Sequence, residues 1–242
     1  MNTHDELKRN LAQVEENIEA ACRRSGRSRG EITLIAVTKM HPAAAIAAAA
    51  EHGITHIGEN KVQEFDAKQP EWNALRAAHP LRSHLIGHLQ SNKAARAAAL
   101  FDTIDSVDSL RLAERLEVAA AASSRLLPIL IEVKLSEEES KSGAAPGSPE
   151  LEQLLERLPE FTHLQPRGLM TVPPYLRDAE AVRPYFRRLR ELRDEYSRRH
   201  PKLRLEALSM GMTHDYAVAI EEGATEIRLG TALFGARDYG QA

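Results

Sequence analysis

Along most of this chain, short runs of apolar and β-branched residues alternate with stretches of helical periodicity. The strand candidates are residues 32–39, 55–60, 83–88, 103–107, 128–135, 167–172, 205–210 and 226–229, most of them bounded by Gly, Pro, Asp or Ser. Helical stretches lie between them, at 43–52, 60–68, 92–100, 110–122, 150–157, 179–199 and 213–222. In the longest, Val182, Phe186, Leu189, Leu192 and Tyr196 form one apolar stripe. Strands that alternate with helices predict a parallel sheet, because a parallel neighbour needs a crossover long enough to hold a helix. Closing eight such strands removes both sheet edges. The pattern therefore predicts an α/β protein with a single (β/α)8 TIM barrel. The 242 residues suit one domain of that size. The rival, an open doubly wound sheet, lacks its Gly-x-Gly-x-x-Gly turn after the first strand.

An additional helix precedes the first strand. Thr3 and Glu6 have capping-box spacing, Leu7, Leu11, Val14, Ile18 and Ala21 recur at helical intervals, and Gly26 ends the pattern. No Pro-, Gly- or Ser-rich linker divides the chain, so residues 1–242 read as one domain, with 136–149 as a long loop. The 32 basic and 35 acidic residues nearly cancel, which argues against a nucleic-acid or membrane-surface partner. There is no signal-like start and no apolar run of the roughly 20 residues that span a bilayer. A single cysteine, Cys22, excludes an internal disulfide and is expected to pack as a small apolar group. The expectation is a soluble, cytoplasmic monomer.

In such barrels the active site lies at the carboxyl ends of the strands. Lys39 ends the first strand candidate and shares a face with Val37 and Ile35. If that face looks inward, desolvation disfavours the ammonium, and the neutral amine is the form that attacks an aldehyde. The ordinary alternative is a lysine that snorkels to water. The ends of the seventh and eighth strands carry Ser209, Gly211, Gly230 and Thr231, with a short helix at 231–234. Barrels of this type often hold phosphate there, using hydroxyls, glycine backbone N–H groups and a helix start. Turn glycines and helix caps would look the same. Arg228 can share the face of Gly230. Beside a pyridine nitrogen, a guanidinium can only donate, and would keep that nitrogen unprotonated. A structural ion pair with Glu226 or Asp215 is the alternative.

Several segments together resemble the YggS/PROSC family of pyridoxal 5'-phosphate (PLP) homeostasis proteins, which are related to the barrel domain of alanine racemase. They are Ala36-Val37-Thr38-Lys39, the Gly58-Glu59-Asn60 stretch through Glu64, residues 84–93 and 136–143, Arg167 to Thr171, Ser209 to Met212, and Arg228 to Gly235. The resemblance runs from the N-terminal helix to about Arg237. It implies a fold-type III PLP barrel with Lys39 as the Schiff-base lysine. By the same match Ser209, Gly230 and Thr231 would hold the phosphate, Arg228 would face the pyridine nitrogen and Asn60 would line the ring pocket. Two positions depart from the family pattern: Lys61 stands where many members carry an aromatic residue, and Lys134 where many carry Asn.

The resemblance implies a carrier that holds PLP and passes it to PLP-dependent apo-enzymes. The alternatives are a PLP-dependent amino-acid racemase and a phosphate-binding barrel without PLP. Racemisation needs a base on each face of the Cα. Lys39 can serve one face. The tyrosine that alanine racemases use for the other lies on an additional β domain, and the chain stops soon after the eighth strand candidate. Tyr175 and Tyr216 are expected to pack on helices. Loop 136–149 is a candidate lid, although most such loops are simply exposed, and Lys134 and Lys141 are candidates to relay an aldehyde. His84 and His88 share a strand face with no evident third ligand, so no metal site is expected. The arginines of 179–199 are offset by acids on the same helix.

Overall fold

The computed structural model describes residues 3–136, 138 and 141–235. Its strands are β1 (Thr33–Val37), β2 (His56–Glu59), β3 (Arg82–Leu85), β4 (Thr103–Val107), β5 (Leu127–Glu132), β6 (Leu164–Met170), β7 (Ala207–Ser209) and β8 (Glu226–Leu229). They pair in parallel in chain order, and β8 returns to pair with β1, which closes the barrel. The helices are α1 (Thr3–Ser25), α2 (Ala43–Glu51), α3 (Val62–Ala67), α4 (Gln69–Ala78), α5 (Ala94–Leu100), α6 (Leu110–Ala122), α7 (Pro149–Arg157), α8 (Arg183–Arg199), α9 (Tyr216–Glu221) and α10 (Thr231–Phe234). The predicted barrel is therefore the observed one.

Alternation along each strand sorts side chains into two layers. Leu34, Ala36, Ile57, Ile129, Ile131, Leu208, Ile227 and Leu229 pack outward into the large apolar layer under the helices. The apolar stripe Val182, Phe186, Leu189, Leu192 and Tyr196 is buried against that layer. The opposite faces line the barrel interior. Leu130, Met170 and Ala207 form a small apolar cluster there. The rest of the interior is unusually polar for this fold, where branched apolar residues dominate. Arg228 stands beside Ile35, and His84 beside Gly58.

Several boundaries differ from expectation. β1 stops at Val37, so Lys39 lies in the turn beyond it, because ladder pairing with β2 ends there. α4 was not anticipated; it buries Trp72 edge-on against Phe65, with ring centroids 5.1 Å apart. α8 starts at Arg183, after a 3-10 turn at Glu180–Val182. Gly26, at φ 68, ends α1 as expected, and Cys22 is buried in it. The side chain of Thr3, and with it the capping box, lies outside the described residues, as do Arg237 and Glu137, Glu139 and Ser140 of the loop motif.

Candidate functional site

Lys39 occupies a tight turn at the barrel mouth. The His41 N–H donates to the Thr38 carbonyl at 3.0 Å, which places Lys39 and Met40 at the two central positions. Met40 takes φ 62, the conformation that the second central position of a type II turn requires and that glycine usually supplies. The Thr38 N–H still pairs with the Gly58 carbonyl at 3.0 Å, so the turn starts from an anchored strand end. Lys39 is half-buried and lines a cavity of about 260 Å³. That volume lies just below the roughly 300–1,000 Å³ of sites that hold drug-sized ligands.

The same cavity is lined by Arg228, Gly230 and Thr231, together with Val37, Tyr175 and the 212–215 segment. Four of the six expected residues thus meet at one place. Gly230 precedes α10 and packs 3.4 Å from the Val37 carbonyl, measured from where a Cβ would stand. The loop after β7 is shaped by Gly211, at φ 96, where an added Cβ would lie 2.6 Å from the Ala219 Cβ. The Met212 N–H donates to Asp215 at 2.7 Å, and the Ala232 N–H donates to the Thr213 hydroxyl at 3.1 Å. That last bond ties the β7 loop to the start of α10.

The other two residues lie elsewhere. Ser209 is fully buried beneath the cavity, and its hydroxyl accepts from Arg228 Nη1 at 2.8 Å. Asn60 follows β2, half-buried, with Gly87 pressed against its backbone, and does not line this cavity. Arg228 is 4 % exposed, and its Nη2 donates to the Thr171 carbonyl at 2.8 Å. Both hydrogen-bond partners are uncharged, so the anticipated alternative of an ion pair with Glu226 or Asp215 does not describe it. Burial pulls its pKa down, and the fields of Asp105, Glu132, Glu226 and Asp215 oppose that pull.

The interior polar residues form a second constellation that the sequence reading missed. His56 Nδ1 contacts His84 Nε2 at 2.8 Å, and His84 Nδ1 contacts Asp105 at 3.0 Å. Burial, reinforced by His84, holds His56 at about 4, so His56 is neutral. Burial also opposes charging His84, but Asp105 outweighs it and raises its pKa. Burial, with Asp105 nearby, pushes Glu226 up to about 7. Burial and repulsion from Asp108 do the same to Glu132, the last residue of β5. Alternation from Leu130 could have pointed to Glu132. His84, Asp105 and Glu226 bring donor atoms within 4.8 Å of one another, a grouping that could hold a metal ion. Both His84 nitrogens already have partners, His56 and Asp105, which favours a hydrogen-bonded network. His88 pairs instead with Asp108 at 3.3 Å.

The tyrosines divide. Tyr216 accepts from Asn17 of α1 at 3.0 Å and packs on that helix, as expected. Tyr175, expected to do likewise, is 77 % exposed on the cavity rim, with its ring 5.5 Å from that of His214. In loop 136–149, the Lys141 ammonium donates to the Pro173 carbonyl at 2.6 Å, and the Ala144 N–H donates back to the Glu132 carbonyl. This part of the loop is pinned to the end of β5 and to the segment after β6. The α8 arginines find many of their acids on other elements: Arg183 and Arg187 meet Glu222 at 3.2 and 3.1 Å. A larger cavity, about 330 Å³, lies between α1, α2 and α10, but its lining offers neither a lysine nor an arginine. Among the described residues, no helix is long and apolar enough to cross a membrane.

Comparison with known proteins adds an independent line. Residues 9–238 match the family model of the alanine racemase N-terminal domain. The pyridoxal phosphate homeostasis protein of Aquifex aeolicus is 43 % identical over 229 residues, covering 95 % of this chain and 97 % of that one. Its Escherichia coli K12 counterpart is 41 % identical over 239 residues, covering 97 % and 98 %. The solved structure of PipY from Synechococcus elongatus, with PLP bound, superposes with a TM-score of 0.80 at 42 % identity, covering 90 % of this chain and all of that one.

Proposed function

The chain belongs to the alanine racemase N-terminal domain family, among its pyridoxal phosphate homeostasis proteins, and from that membership we propose that it binds PLP through Lys39 and serves intracellular PLP homeostasis. When bound, PLP supplies an aldehyde that condenses with amines, a phosphate and a ring nitrogen that accepts a hydrogen bond. The donor set at the mouth fits those three groups. The Lys39 amine would hold the aldehyde carbon, with loss of water. Gly230 and Thr231 offer backbone N–H groups and a hydroxyl to the phosphate. Arg228, always a donor, would face the ring nitrogen and keep it unprotonated. Ser209 would serve by holding Arg228. The observation that carries this reading is the meeting of Lys39, Arg228, Gly230 and Thr231 in one small cavity.

Holding rather than turnover follows from what surrounds that cavity. An unprotonated pyridine is a weak electron sink, so Arg228 mutes carbanion chemistry. Racemisation would need a second acid–base group placed opposite Lys39. Tyr216 is committed to Asn17, and Tyr175 is an exposed phenol on a loop, without the supporting contacts that preorganise a catalytic base. Transfer to apo-enzymes and a cytoplasmic, monomeric state complete the proposal.

Reconstitution tests it. Titrating PLP into the protein is expected to raise a visible absorption band that borohydride fixes onto Lys39. Lys39→Ala is expected to show neither. A full band in that variant would move the linkage to another lysine. Turnover of an amino acid by the reconstituted wild type would return the racemase reading.

A further inference from the structure

The residues on either side of Lys39 are held by groups on the opposite face of β1. Thr38 points outward, away from the cavity, and its hydroxyl donates to Glu59 Oε1 at 2.7 Å. Lys68, at the end of α3, spends its three donors on Glu59 Oε1 at 2.8 Å, the Thr38 carbonyl at 3.0 Å and Glu64 Oε1 at 3.1 Å. Glu64 in turn accepts from the Met40 N–H. The turn is therefore gripped before Lys39, at both polar ends of Thr38, and after it, at the strained Met40.

This grouping is an expensive way to add stability. Glu59 is fully buried and Lys68 nearly so. Desolvating such a pair costs about as much as its attraction returns, and apolar residues often serve stability as well. What an ion pair does that an apolar pair cannot is aim: its bonds fix the direction of the Thr38 carbonyl and the Met40 N–H. A four-residue turn has few internal constraints, and one of its central residues sits at positive φ. Rotation of that turn would carry the Lys39 amine away from Arg228 and Gly230.

We propose that Glu59, Lys68 and Glu64 are positioning residues for Lys39, clamping its turn from behind β1 so that the amine stands where an aldehyde bound at the mouth can reach it. The inference rests on the reading of Lys39 as the PLP-linked lysine. It predicts a selective defect: ligands that need the amine suffer, and ligands that use only the phosphate and ring sites do not.

The test compares PLP with pyridoxine 5'-phosphate, which keeps the ring and phosphate but carries an alcohol in place of the aldehyde. The variants are Glu64→Ala, at a half-buried helix position, and the charge-neutral double Glu59→Gln/Lys68→Met, which leaves no unpaired buried charge. For both, the PLP affinity read from the visible band is expected to fall by about tenfold or more, as for loss of a charge-assisted hydrogen bond. Affinity for pyridoxine 5'-phosphate is expected to stay within about twofold of wild type. Lys68→Arg should recover part of the loss. Equal losses for both ligands would reduce the clamp to ordinary scaffolding and overturn the inference, as would an unchanged PLP affinity. A wild type without a visible band, or a Lys39→Ala variant that keeps one, would overturn the underlying reading instead, and the inference with it.

Discussion

Arg228 and Ser209 are joined at 2.8 Å across the inner faces of β8 and β7, directly beneath the mouth cavity. This bond makes the Ser209 hydroxyl a support of the guanidinium that lines the cavity. A buried guanidinium cannot shed its proton, so its hydrogen bonds must be kept, and they set where its remaining N–H groups face.

Ser209→Ala removes that support. A hydrogen bond to a charged, buried donor is worth about 1.5–3 kcal/mol. The variant is expected to lose about 2 kcal/mol in urea denaturation, and to bind PLP more weakly because Arg228 keeps only its bond to the Thr171 carbonyl. Unchanged stability would mean that Arg228 finds another acceptor at no cost.

Glu132 makes stability depend on pH. Its folded-state pKa, about 7, is raised above the ordinary carboxylate value of 4.5 by burial and by Asp108. The folded state therefore binds the extra proton between those two values. Stability is fully present below about pH 4.5 and is lost as pH rises through 7. Glu132→Gln removes the penalty and should stabilise the protein at pH 8 by roughly 3 kcal/mol, with little effect at pH 4.5. Denaturation curves at the two pH values check it; an equal gain at both would assign the effect to packing.

Arg228→Met takes away the cation that offsets Asp105, Glu132 and Glu226. The pKa values of Glu132 and Glu226, already raised by burial, should rise further. The variant is expected to lose about 3–5 kcal/mol near neutral pH, as when one partner of a buried charge group is deleted. It should recover much of that as the pH falls to 5 and the carboxyls protonate. Comparing melting curves at pH 5 and 7.5 decides this, and a deficit independent of pH would refute it.

Gly211→Ala forces a Cβ to within 2.6 Å of Ala219 at a backbone angle of +96°. The combined strain should cost about 2–3 kcal/mol. Because Gly211 leads into the 212–215 segment that lines the cavity, phosphate-bearing ligands should bind less tightly. Retention of wild-type melting and affinity would show that this loop relaxes freely.

What could be read from the order of residues alone was whatever repeats locally. Alternating strand and helix periods predicted the barrel, since neighbours two or four positions apart determine which face is apolar. The same alternation put Lys39 on the face of Val37 and Ile35, and Arg228 on that of Gly230, near strand ends. Contacts between distant segments were not legible, because the register in which neighbouring strands pair creates them. That pairing sets Ser209 beside Arg228 and brings His56, His84 and Asp105 into one chain inside the barrel. It also brings Lys68 behind the turn that carries Lys39. Even the end of β1 was decided this way. A strand stops where its neighbour no longer offers a ladder, and no local pattern records the length of that neighbour.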